Sequence, residues 1–386
     1  MREASPVHRP YRDRALHVLI APDKFKGTLT SRQAGEVISR AVRAVLPDAI
    51  IHTAEIADGG EGTLNIAVTA GGELKSSVVR GPTGALIEGR WVLRGQSAII
   101  EVADASGLQL IHPTPATSLG ASTFGTGQQI RHALDLGARE IVVAAGGSAT
   151  TDGGSGAMRA LGLRLATADG ASLPLGGGYL EHLHSIDSSM LDRRLTDVTV
   201  RVAADVRNPL IGAASEFAAQ KGATAPEIDV LEHGLKRWAI LLRRHTGVDV
   251  AELPGMGAAG GFPAGLSAFV GATIERGFDV VASFIGLDAQ LERADLVITG
   301  EGSLDRQSLQ GKAPIALAGR ARAAGKPVLA IGGRTILSDD ELATAGILDT
   351  ESLAGIAPNV EEAMAHAHEY LELAAARVLT RWLQRS

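Results

Sequence analysis

A chain of 386 residues with 45% hydrophobic and 21% charged side chains has a globular composition and exceeds what one hydrophobic core usually serves, so two domains are expected. No cysteine is present, which excludes disulfides, thiolate metal sites and a cysteine nucleophile. A net charge of −6 with 3% aromatic residues supplies neither the basic face nor the stacking platform of a nucleic-acid binder. No window approaches the ~20 uncharged apolar residues of a membrane span, so small molecules are the expected partners.

Residues 1–14 read as a loose tail with no apolar targeting segment, and a cytoplasmic protein is expected. Ala15–Ala21 is a short apolar run typical of a buried parallel strand. After the loop PDKFKGTLT, Thr30 and Gln33 stand in capping-box spacing, and Ala34, Val37, Ile38, Ala41, Val42 and Val45 mark one helical face as far as Pro47. A second such unit follows: a strand over 50–56, the loop ADGGEGT, and a short helix ending at Gly71-Gly72.

From about 74 to 103 the texture changes to short β segments joined by GPTG and RGQ turns. FGTG then opens a helix to about Leu136, the strand EIVVAA leads into the loop GGSATTDGG, and the strand VTVRVAA leads into DVRNPL. A long helix near 226–245 carries Leu231, Leu235, Trp238 and Leu242 at core spacing. The strand-loop-helix pattern of the N-terminus returns at ADLVIT, GEGSLDRQSLQGK, a helix near 313–324 and the strand PVLAIGG.

Ligands of open parallel sheets bind beyond the carboxyl ends of strands, where following helices present free N–H groups. Five loops fall there. They carry Asp23, Lys24 and Lys26; Asp58, Gly59, Gly60, Glu61 and Thr63; Ser148, Thr150 and Asp152; Asp205 and Asn208; and Gly300, Glu301, Gly302, Asp305, Gln307 and Lys312. Any one of these could be ordinary turn and cap chemistry. Jointly they offer what phosphoryl transfer needs: glycine turns and lysines for phosphate oxygens, carboxylates for Mg²⁺, and a carboxylate to orient an attacking hydroxyl.

Only seven of the 37 basic residues are lysine, and Lys24, Lys26, Lys221 and Lys312 lie in or beside these loops or the QKGAT turn. The familiar signatures fail: Gly311-Lys312 is followed by Ala313, so there is no Walker loop, and no HExxH or nucleophile elbow occurs. One GxGxxG, at Gly255, Gly257 and Gly260, follows Pro254 and a polar segment rather than a strand. An NAD-dependent oxidoreductase of a small hydroxy acid rests on that motif alone. Packing near Phe262 and Leu266 explains it better. A non-catalytic sugar-acid binding protein is a third reading.

Taken in order, APDKFKGTLT, ADGGEGT, FGTGQQI, GGSATTDGG, ADVRNPL, QKGAT, PGMGAAGGFPAGL and TGEGSLDRQSLQGK resemble the bacterial glycerate kinases of the first family, along essentially all of the chain after residue 14. The resemblance implies an α/β enzyme that phosphorylates D-glycerate with ATP and Mg²⁺, with 2-phosphoglycerate favoured over 3-phosphoglycerate. It implies a flavodoxin-like parallel-sheet domain made of both chain ends, residues 15–80 with 287–386. A second α/β domain, 81–286, is inserted, and glycine-rich loops of both face a shared cleft. The matched positions are Asp23, Lys26, Asp58, Glu61, Ser148, Asp152, Asp205, Asn208, Glu301, Asp305 and Lys312.

Within that set Lys312 and Lys26 are expected on ATP phosphates, Asp305 or Glu301 on Mg²⁺, and Asp205 as base with Asn208 as orienting donor. Asp58 is the second candidate base, or stands with Glu61 at the metal. Asp23, Gly59, Gly60, Ser148, Thr150, Asp152, Gly300, Gly302 and Gln307 are expected to bind substrate or phosphate. The glycerate carboxylate is expected on an arginine, none of which the sequence singles out. Two departures stand out. IGAASEFAAQKG is shorter than in relatives, with Ala218 and Ala219 where Gly-Pro is usual, so Lys221 receives no role; and Thr151 replaces a frequent asparagine.

Overall fold

The computed structural model describes residues 14–57 and 62–385, so most of the expected tail and all of Asp58, Gly59, Gly60 and Glu61 lie outside the described residues. Two compact units are present. One holds the described chain up to Ala57 together with the chain from Ala282 onward; the other holds the segment between, as far as Val281.

The first unit is built on five parallel strands in the spatial order Asp349–Ser352, Val328–Thr335, Leu296–Leu304, His17–Ile20 and Ile50–Thr53. Counted along the chain this order is 2-1-3-4-5 read from the Ile50–Thr53 edge, that of a flavodoxin-like doubly wound sheet. Val18, Leu19, Ile20, Leu296, Val297 and Ile298 are fully buried, as strands covered on both faces must be.

The Ser31–Val45 helix starts on the expected capping box: Gln33 N–H donates to Thr30 Oγ1 at 3.2 Å and Thr30 N–H to Gln33 Oε1 at 2.9 Å. It stops where Pro47 disfavours helical geometry at Leu46. Its apolar face packs on the C-terminal helix, Ala367–Arg385, through Leu371, Ala375, Val378 and Leu379.

One strand differs from expectation. Leu296–Leu304 runs five residues past Thr299, because Glu301 pairs with Gly332, Ser303 with Arg334 and Leu304 with Thr335. Glu301 therefore projects from a strand instead of a loop.

The second unit contains a six-stranded mixed sheet in the order Thr273–Glu275, Thr199–Ala203, Glu140–Ala144, Ser97–Glu101, Leu86–Arg94 and Glu73–Arg80. The first four strands are mutually parallel; the last two are added antiparallel through the expected GPTG and RGQ turns. The divisions between units fall at Ala57 and Val281, whereas 80 and 286 were expected. Glu73–Arg80 pairs along its whole length with Leu86–Arg94, and the Thr63–Thr69 helix packs on Ser97–Glu101, which ties residues 62–80 to this sheet.

The Ala225–Thr246 helix buries Leu231, Leu235, Trp238 and Leu242 completely and ends at Gly247 in the left-handed conformation. Among the described residues no helix is long and apolar enough to cross a membrane.

Candidate active site

In a 2-1-3-4-5 sheet the connections diverge between the first and third strands, here His17–Ile20 and Leu296–Leu304, and a crevice opens at their carboxyl ends. Asp23 sits there, its N–H donating to Gly300 O at 2.8 Å, while Thr299 Oγ1 donates to Ala21 O at 2.7 Å. Phe25 is buried and exchanges backbone bonds with Leu29, a tight loop that leaves Lys24 and Lys26 exposed on either side. Gly302 allows this loop to approach, since a Cβ there would stand 3.2 Å from Lys26 N.

Glu301 is 5% exposed. Its Oε2 lies 3.5 Å from Lys312 Nζ and its Oε1 is buried without a partner. Burial pushes its carboxyl above the usual range, against Ser308 and Lys312, which favour the ionised form.

Asp305 has the opposite character. Its Oδ1 accepts the N–H groups of Gln307 at 2.9 Å and Ser308 at 3.2 Å, and its Oδ2 accepts Ser303 Oγ at 2.9 Å. Desolvation pushes its pKa upward, but these donors and Lys312 together hold it below the ordinary value. Arg334 Nε donates in turn to Ser303 Oγ at 2.9 Å. Gln307 thus contributes its backbone N–H to the turn. Ser303 and Arg334 belong to this network although no sequence motif singles them out.

Gly300 is required by the sheet, since a Cβ there would meet Ile331 O at 2.3 Å. A neighbouring cavity of about 270 Å³ has Phe25, Leu353 and Met364 on its wall together with Lys26 and Arg334.

In the second unit the Glu140–Ala144 and Thr199–Ala203 strands are adjacent and end level, Ala144 opposite Ala203. The loops after them line a cavity of about 350 Å³ with Gly146, Gly147, Ser148, Asp205, Lys221 and Gly260. Lys221 is 2% exposed; its Nζ donates to Thr150 O at 2.6 Å and Ser148 Oγ at 3.2 Å. Burial pulls its pKa down to about 8, against the attraction of Asp152. Asp205 is exposed at the rim and accepts Gly277 N–H at 3.1 Å.

Three residues expected to bind ligand do not line this cavity. Asp152 is fully buried: its carboxylate accepts Thr123 N–H at 2.8 Å, Thr123 Oγ1, Ser122 Oγ, Gly154 N–H and Gly156 N–H. It fastens the Ser122–Phe124 turn to the start of the Ser155–Ala160 helix and has no oxygen left for a ligand. Thr150 is buried and offers the cavity's lysine its carbonyl. Asn208 lies outside the cavity lining and is tied by its backbone carbonyl, 2.9 Å from Gly257 N.

The GxGxxG segment packs as expected. No strand precedes it, Phe262 and Leu266 are fully buried, and Gly260 has φ +69° with its Cβ position 1.9 Å from Thr150 O, which only glycine tolerates. The dinucleotide alternative loses the motif that supported it.

In each unit lysines, carboxylates and glycine turns follow the carboxyl ends of parallel strands, an arrangement suited to an α/β phosphotransferase. Residues 18–383 match the glycerate kinase family, and the chain belongs to it. It is 42% identical over 332 residues to glycerate 2-kinase of Escherichia coli (strain K12), covering 84% of this chain and 86% of that protein. Identity is 41% over 367 residues to a glycerate kinase of Halalkalibacterium halodurans, covering 94% and 97%. The crystal structure of a putative glycerate kinase 2 from Salmonella typhimurium LT2 superposes with a TM-score of 0.84 at 40% identity, over 96% of this chain and 98% of that one.

Proposed function

We propose that this chain transfers the γ-phosphoryl group of ATP to the 2-hydroxyl of D-glycerate, as a glycerate kinase of the first family. The observation that carries the reading is the Glu301–Lys312 pair beside the switch point of the flavodoxin-like sheet, a buried carboxylate with one oxygen held by a lysine and the other unpartnered. Relatives named glycerate kinase, at 35–42% identity, supply the acceptor.

Mg²⁺ fits these residues. Among the described residues no cluster of three or more carboxylate or histidine ligands exists, but Mg²⁺ in kinases is typically held by one or two carboxylates, substrate phosphates and water. Glu301 Oε1 is the orphaned oxygen that such a cation would satisfy, with Asp305 kept ionised beside Lys312. Bound there, the cation would neutralise charge on the transferring phosphoryl group.

The chain's own side chains do the rest. Lys312 and Lys26 hold phosphate oxygens, Asp23 orders the loop that carries Lys26, and Asp205 takes the proton of the attacking hydroxyl. Asp58 and Glu61, outside the described residues, are assigned to the metal side.

The test is a coupled ADP assay with D-glycerate, followed by proton-coupled phosphorus NMR of the product. ADP release that requires glycerate, and a doublet from an ester on the C2 methine, are expected. No glycerate-dependent release would sink the assignment; a triplet from a C3 methylene ester would move it to the other hydroxyl.

A further inference from the structure

We propose that Lys221, with Ser148 and the Gly146–Gly147 turn, is the seat of the acid substrate's carboxylate, a role expected of an arginine. The inference deepens the proposed function and rests on it for the identity of the acid. Lys221 has three N–H donors. Two meet neutral acceptors, Thr150 O and Ser148 Oγ, and among the described residues it forms no ion pair. Lys221 is almost wholly buried, Asp152 attracts it without forming an ion pair, and burial disfavours its charge; an anion brought by a ligand into the cavity it lines would supply the missing close partner.

The rest of the wall selects the ligand. Asp205 lines the same cavity, so the site combines a cation with a carboxylate and suits a monoanionic hydroxy acid, whose carboxylate meets Lys221 and whose hydroxyl meets Asp205. A phosphate dianion would place its second charge against Asp205. About 350 Å³ accommodates a three-carbon acid with water and is small for a nucleotide.

The unliganded lysine, pulled down to about pKa 8, should take up a proton when an anion binds. Uptake should be greatest just above pH 8, where the unliganded side chain is mostly the neutral amine, and should vanish well below it. Asp152 and Asp205 are the ionisable groups facing Lys221, and loss of the uptake in Lys221→Met would separate its contribution from theirs.

Calorimetric titration of the full chain with D-glycerate, without nucleotide, in buffers of different ionisation enthalpy tests this. The wild type should bind with proton uptake at pH 8.5 and little at pH 6.5, both pH values chosen to bracket about 8. Lys221→Met, which keeps the side chain's length, should raise Kd by roughly tenfold or more, the effect of a buried charge-assisted contact. Ser148→Ala should raise it severalfold, and ATP affinity should be unchanged in both. Glycerol, lacking the carboxylate, should not distinguish wild type from variant, and inorganic phosphate should not compete.

Equal glycerate affinity in the variants, no binding by the wild type, absent uptake, or competition by phosphate would overturn the assignment. Should Lys221→Met fail to fold, Ser148→Ala and the wild-type proton count still decide. If Lys221-dependent binding occurs without glycerate-dependent ADP release, the kinase reading fails and the carboxylate seat stands.

Discussion

Lys312 Nζ stands 3.5 Å from Glu301 Oε2 while the other oxygen of that carboxylate, buried in the Leu296–Leu304 strand, has no partner. A half-satisfied ion pair of this kind is costly to maintain unless a ligand completes it. It stands where the sheet's connections diverge, which supports the phosphate and metal roles proposed for the pair.

Lys312 is therefore expected to matter for turnover more than for folding. Its side chain is about a third exposed and the pair is monodentate, so it adds little stability. Lys312→Ala should lower kcat on the order of 10² or more with a melting curve close to wild type, the usual scale for lost charge stabilisation in a transition state. Near-wild-type turnover in the folded variant would return Lys312 to the surface.

Glu301→Gln should lower apparent Mg²⁺ affinity in a titration of activity against the cation, yet leave the protein at least as stable at neutral pH. The sign follows from the raised carboxyl, since burial opposes its charge. Above its folded pKa the ionised group destabilises the native state, and as pH falls through that value the native state binds the proton first and recovers stability. Wild type minus Glu301→Gln, from melts at descending pH, should therefore grow in favour of the wild type toward the ordinary glutamate range. A difference flat in pH would mean that Glu301 is not the strained group.

Asp152 should behave as a structural hub. Its carboxylate gathers backbone N–H groups of Thr123, Gly154 and Gly156 and the hydroxyls of Ser122 and Thr123, all buried. Asp152→Ala strands them together and should cost about 3–5 kcal/mol in denaturant unfolding. Residual turnover per folded molecule, measured at low temperature, should fall much less than in Asp205 variants. A stable Asp152→Ala protein without activity would restore it to the ligand-binding set.

Strand ends were legible from apolar runs and turn chemistry, so Asp23, Ser148 and Asp205 each follow a strand as expected. The order 2-1-3-4-5 agrees with the flavodoxin-like fold that the motifs implied. Glu301 stands in a strand although glycines at 300 and 302 read as turn residues; their role is close approach to Ile331 and to the Lys26 loop. Asp152 accepts from Gly154 and Gly156 nearby but also from Ser122 and Thr123, a contact no local pattern announces. The shortened IGAASEFAAQKG segment gives Lys221 no role by resemblance, and its burial is decided by packing far along the chain; the scarcity of lysine is its one local signal.

Asp205 is the remaining assignment, and its chemistry fixes what a variant must do. A glycerate hydroxyl is a weak nucleophile near neutral pH, so a carboxylate has to accept its proton as the bond to phosphorus forms. Asp205 follows the Thr199–Ala203 strand, is exposed on the wall of the cavity that Lys221 enters, and is steadied by Gly277 N–H on Oδ1. Asp205→Asn keeps an oxygen for that N–H and removes the basicity. Turnover should fall by about 10²–10⁴, the range of general-base catalysis, while glycerate and ATP still bind by calorimetry. Asp58→Asn, by contrast, should weaken the apparent affinity for Mg²⁺ and be partly rescued by raising it. Rescue of Asp205→Asn by Mg²⁺, with Asp58→Asn inert at any concentration, would exchange the two roles. Substantial activity in both variants would show that neither carboxylate takes the proton, leaving the transfer to positioning and charge stabilisation by the lysines.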